Sequence, residues 1–77
     1  MISELEVHIL TDINNGRLTC AKDYSISDET FLRTCHKLNN DGFISGFYLM
    51  DGSDANNPNL LRKVKVTSRG MKLLNLL

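Results

Sequence analysis

Apolar residues recur at helical spacing from the start of the chain: Ile2, Leu5, Ile9 and Ile13, widened by Val7 and Leu10, with Glu4, Glu6 and Asp12 on the other faces. The spacing predicts a helix over residues 3–14. Ser3 is placed to cap it, Glu4 and Glu6 stand near the positive end of its dipole, and Asn15-Gly16 ends it with residues that tolerate left-handed backbone. Residues 17–24 are short and polar, which suits a brief second helix or a turn. Ser25, Ile26 and Ser27 then precede Asp28, Glu29 and Thr30, a serine cap with acids in the first turn and Ile26 as a hydrophobic staple, so a third helix begins there. Phe31, Leu32, Cys35 and Leu38 form its apolar face, and Asp41-Gly42 stops it.

The period changes after Gly42. Residues 43–50 are aromatic and branched and predict a strand, with Gly46 marking a bulge or a close backbone approach. Residues 51–59 are polar, hold the only proline, and predict a loop. In the second strand, residues 60–66, alternation sets Leu60, Val64 and Val66 on one side with Arg62 as the exception, and Leu61, Lys63 and Lys65 on the other. Thr67 then caps a last helix over residues 68–77, with Met71, Leu74 and Leu77 facing inward. The element order predicts an α+β fold, a single winged helix-turn-helix domain over residues 1–77: a three-helix core, a two-stranded β-wing and a C-terminal helix.

Composition agrees with one small folded unit. The chain has 77 residues, 42% hydrophobic and 23% charged, which is ordinary for a globular protein and too short for two domains. Two cysteines are too few for a disulfide scaffold, the first residues do not read as a signal peptide, and no apolar run reaches the length of a membrane span, so a soluble cytoplasmic protein without a membrane partner is expected. Net charge is zero but unevenly placed. Residues 1–31 hold six acids against two bases, and residues 32–77 hold seven bases against three acids, giving −4 and +4. Such polarity can present a basic face to an anionic partner, or it can be solvated charge on both halves.

Two stretches carry a family likeness. Residues 23–31, Asp-Tyr-Ser-Ile-Ser-Asp-Glu-Thr-Phe, followed by Leu38-Asn39-Asn40-Asp41-Gly42-Phe43-Ile44, resemble the third helix and first wing strand of small winged-helix proteins, and are most similar to the YjcQ-like family of Gram-positive bacteria and their phages. The run Val66-Thr67-Ser68-Arg69-Gly70-Met71-Lys72-Leu73-Leu74 resembles the segment by which such domains leave the wing for their last helix. The resemblance implies a winged-helix fold and a phage or prophage setting; it implies no activity. Asp28 and Glu29 depart from DNA-binding relatives, because they stand where that helix usually approaches phosphates or base edges.

Candidate DNA contacts on the third helix are Arg33, Lys37 and Asn40 with Thr34 between them, since arginine and asparagine pair bidentately with guanine and adenine edges. An ordinary solvated face reads the same way. On the wing, Lys63 and Lys65 suit phosphate contacts, and edge lysines also oppose strand-to-strand association. His8, Cys20, Cys35 and His36 have ligand chemistry without zinc-site spacing, and Cys35 lies on the apolar face, so no metal and no cofactor are expected. Neither a phosphate loop nor a catalytic triad spacing is present, so no enzyme is expected. Two functions follow: a small DNA-binding regulator, or a protein-interaction adaptor on the same fold. Leu73, Leu74, Leu76 and Leu77 crowd the end of the chain, and the surplus that one face cannot bury, Leu73 and Leu76, predicts a homodimer through the last helix.

Overall fold

The computed structural model describes residues 2–47 and 60–76. The predicted loop, residues 48–50 of the first strand and Leu77 lie outside them. The elements run α1 (Glu4–Asn14), a 3-10 helix η1 (Ala21–Tyr24), α2 (Asp28–Asn40), β1 (Ile44–Ser45), β2 (Lys65–Val66) and α3 (Ser68–Asn75). The result is α+β: three α-helices with a two-stranded antiparallel sheet in which Ile44 pairs with Val66 and Ser45 with Lys65.

Each helix begins where its cap predicts. Ser3 accepts from the Glu6 N–H while the Glu6 carboxylate accepts from the Ser3 N–H, Ser27 accepts from the Thr30 N–H, and Thr67 accepts from the Gly70 N–H. The ends are as local. At Gly42, φ is +79°, and the Phe43 and Gly42 N–H groups bond the Leu38 and Asn39 carbonyls, a Schellman closure that only a residue tolerant of left-handed backbone makes cheaply. This stop turns the chain from α2 into β1.

The core joins Ile9, Leu10 and Ile13 of α1, Ala21 of η1, and Phe31, Cys35 and Leu38 of α2 to Ile44, Phe47, Leu61 and Val64. Tyr24 fastens η1: its ring stacks on Phe31 at 6.0 Å, and its hydroxyl donates to Asp12 and meets Thr19, both at 2.8 Å. Ile26, the predicted staple, packs against the same core.

Four expectations are corrected. Glu6 is not a solvent-facing acid; it is buried at 6% exposure, because its side chain folds back to the helix start and meets Lys37 of α2. The strands are two residues each. Residues 60–63 form a turn closed by the Val64 N–H on the Leu61 carbonyl, so strand alternation does not operate there, Leu61 is buried and Arg62 is exposed. That turn passes over the chain just after β1, at Gly46, where a Cβ would stand 2.7 Å from the Lys63 carbonyl oxygen, the close approach predicted for this glycine. Finally, α3 puts Met71 outward and packs Leu73 as well as Leu74 on the core, because Gly70 is the residue that faces Phe43 and Val66. Leu76 is left exposed.

Candidate nucleic-acid interface

The core side of α2 is defined by Phe31, Cys35 and Leu38, so the opposite side carries Glu29, Arg33, His36 and Asn40, roughly one residue per turn. Arg33 and Asn40 therefore share a stripe. Arg33 donates to Glu29 one turn earlier, and the Asn40 side chain meets His36 at 3.2 Å. Thr34 lies toward the flank of the helix, its hydroxyl donating to the Thr30 carbonyl.

Lys37 points away from that stripe, toward α1. Its ammonium is 3.0 Å from Asp41 and 3.4 Å from Glu6, whose side chain is only 8% exposed. The Asp41 carboxylate bonded to it, and the Glu6 carboxylate beyond, hold the Lys37 ammonium above its ordinary range. Lys37 thus compensates a buried carboxylate at the α1–α2 joint. The cleft here is completed by Phe43 and Arg69, the guanidinium standing 5.3 Å from the Phe43 ring centre.

Lys63 lies in the turn before β2 and Lys65 within it. Both are exposed and form no ion pair with another described residue. They do not stand alone. Residues 60–76 carry Arg62, Lys63, Lys65, Arg69 and Lys72, every one exposed, and no acid. Arg62, Arg69 and Lys72 were not among the candidate contacts read from the sequence; the signal that finds them is the acid-free run itself.

Of the possible ligand atoms, His8 is exposed on α1, Cys35 is buried on α2, and His36 is exposed on the far side of α2. Burial pushes the Cys35 thiol up to about 12, which suits a core residue and not a thiolate ligand. Among the described residues no three His, Cys, Asp or Glu side chains gather as a metal site requires. No described helix is long and apolar enough to cross a membrane.

Compared with protein-family models, with curated proteins and with solved structures, the chain matches none.

Proposed function

We propose that this chain is a winged-helix module that docks on duplex DNA, with the anchoring charge on the second wing strand and the helix after it. In this reading α1, η1 and α2 are the helix-turn-helix, β1 and β2 the base of the wing, and Arg62, Lys63, Lys65, Arg69 and Lys72 the phosphate contacts. One observation carries it: the described residues from 60 onward hold five exposed bases and no acid, whereas on α2 both bases face carboxylates. An acid-free basic segment on a neutral protein concentrates positive potential where a polyanion can use it.

The role of a small phage or prophage regulator in the cytoplasm, and membership of the YjcQ-like family, belong to the same proposal and rest on the residues that carry the resemblance. So does a homodimer through α3, for which the exposed Met71 and Leu76 are the apolar surface. The test is a fluorescence anisotropy titration of a labelled random-sequence duplex at about 50 mM salt, where non-specific dissociation constants of about 10⁻⁴ to 10⁻⁶ M are read directly. Lys63→Glu with Lys65→Glu is expected to abolish binding and Lys37→Met to leave it intact. Failure of the unsubstituted protein to bind turns the reading to the protein-interaction adaptor.

A further inference from the structure

The cleft at the α1–α2 joint spans about 370 Å³, within the range of small-molecule clefts. Its charges come from Glu6 of α1, Lys37 of α2, Asp41 just past α2, and Arg69 of α3; Phe43, Ile2 and Leu73 supply the apolar surface between them. Two of the charged groups have capacity to spare. The Glu6 side chain is only 8% exposed, and its oxygens are used unequally: Oε1 accepts the Ser3 N–H at 3.3 Å and the Ser3 hydroxyl at 3.0 Å, whereas Oε2 meets the Lys37 ammonium at 3.4 Å, too far for a strong bond. Lys37 stands nearer to Asp41, at 3.0 Å. A carboxylate oxygen accepts more than one donor, so Oε2 has room for a closer one. On the other wall, the Arg69 guanidinium lies over the Phe43 ring and forms no ion pair with another described residue. Its fork of N–H groups matches a planar carboxylate.

We propose that this cleft binds a free α-amino acid with an apolar side chain. Its carboxylate takes the Arg69 fork, its ammonium donates to Glu6 Oε2 and Asp41, and its side chain lies against Phe43, Ile2 and Leu73. The charge balance favours such a ligand. Two bases face two acids across the cleft, so an ion of one sign would leave the site with an uncompensated charge, whereas a zwitterion meets both walls and leaves it neutral. The apolar surface between the charges then selects a hydrophobic side chain over a polar one. Arg69 is also one of the bases assigned to duplex docking above, but the amino-acid site does not depend on that reading.

The experiment titrates the whole ¹⁵N-labelled chain with leucine, isoleucine, methionine and phenylalanine, each to about 10 mM, and follows the amide resonances. At least one is expected to bind with a dissociation constant of about 1 mM or tighter and to move the resonances of the cleft residues. For leucine, 4-methylpentanoate lacks the amine and 3-methylbutylamine lacks the carboxylate; for whichever amino acid binds, the corresponding half molecules should bind about ten-fold or more weakly. Arg69 is exposed, so Arg69→Met should keep the fold while removing the advantage of the amino acid over its amine. Glu6→Gln keeps an acceptor oxygen without the charge and should weaken the amino acid and the amine alike, with circular dichroism melts reporting whether the fold is retained. No shift with any of these amino acids, shifts that gather away from the cleft, a half molecule that binds as tightly as the amino acid, or amino-acid binding unchanged in Arg69→Met overturns the proposal. Duplex binding is measured separately and stands or falls without it.

Discussion

Gly70→Ala sets two known effects against each other, and the structure decides the sign. Replacing glycine by alanine inside a helix ordinarily stabilises by about 1 kcal/mol, through unfolded-state entropy and helix propensity. Here the new Cβ would stand 2.3 Å from the Phe43 carbonyl oxygen and 2.7 Å from Val66 Cγ1, where real Cβ contacts do not fall below 3.0 Å. The first contact alone demands a shift of 0.7 Å, the difference between 3.0 and 2.3. The carbonyl cannot yield freely, since it accepts the Thr67 N–H at 3.0 Å just before α3 begins. Overpacking of this kind costs about 1–3 kcal/mol, and weakening that hydrogen bond adds about 1 more. The net expectation is a loss of about 1–3 kcal/mol, which in a domain of this size lowers the midpoint by roughly 4–24 °C. The assay is thermal unfolding by far-ultraviolet circular dichroism, with Lys72→Ala as the exposed control on the same helix. If Gly70→Ala melts with or above the unsubstituted protein, α3 does not pack against Phe43 and Val66 as described.

Leu38→Ala removes a side chain with no exposure and is expected to cost about 2–5 kcal/mol, a large share of the stability of so small a domain; urea unfolding reads it directly. Lys37→Met should destabilise, because it leaves the Glu6 carboxylate buried with only Ser3 to satisfy it, whereas Arg33→Met breaks an exposed pair and should stay within about 0.5 kcal/mol; the reverse ranking in urea would contradict the joint. Stability should also fall in alkali. The Cys35 thiol is raised by burial from 9.0 to about 12, so between those values the unfolded chain has lost a proton that the folded one keeps, and stability falls as pH rises, by up to about 1.4 kcal/mol per unit. Tyr24, also raised chiefly by burial, acts in the same direction at higher pH. A urea midpoint unchanged between about pH 8 and pH 10.5 would exclude this, and Cys35→Ala should reduce the slope.

Local signals in the sequence reach as far as local physics does. Ser3, Ser27 and Thr67 cap the helices they are placed to cap, and Gly42 adopts the left-handed turn its position after α2 demands, because each depends on neighbours a few residues away. Alternation fails at residues 60–63, since nothing in an apolar-polar pattern distinguishes a strand from a turn that also buries Leu61. The interface candidates divide along the same line. Lys65 is exposed on its strand as periodicity predicts. Lys37 looks like a free cation on a helix face, and only the meeting of α1 and α2, 31 residues apart in sequence, reveals its commitment to Glu6. Arg62, Arg69 and Lys72 needed no structure to be found, only attention to where acids are missing.

The most direct test of the docking account is the salt dependence of duplex binding, measured for the unsubstituted chain and for Lys63→Ala. If Arg62, Lys63, Lys65, Arg69 and Lys72 each neutralise a phosphate, log affinity should fall against log salt with a slope of about −4.5, from about −0.9 per contact, and Lys63→Ala should make it shallower by about one. Lys37→Met should leave the slope unchanged. A slope near zero, a slope that moves with Lys37 and not with Lys63, or no binding at about 50 mM salt and 100 μM protein would contradict the account.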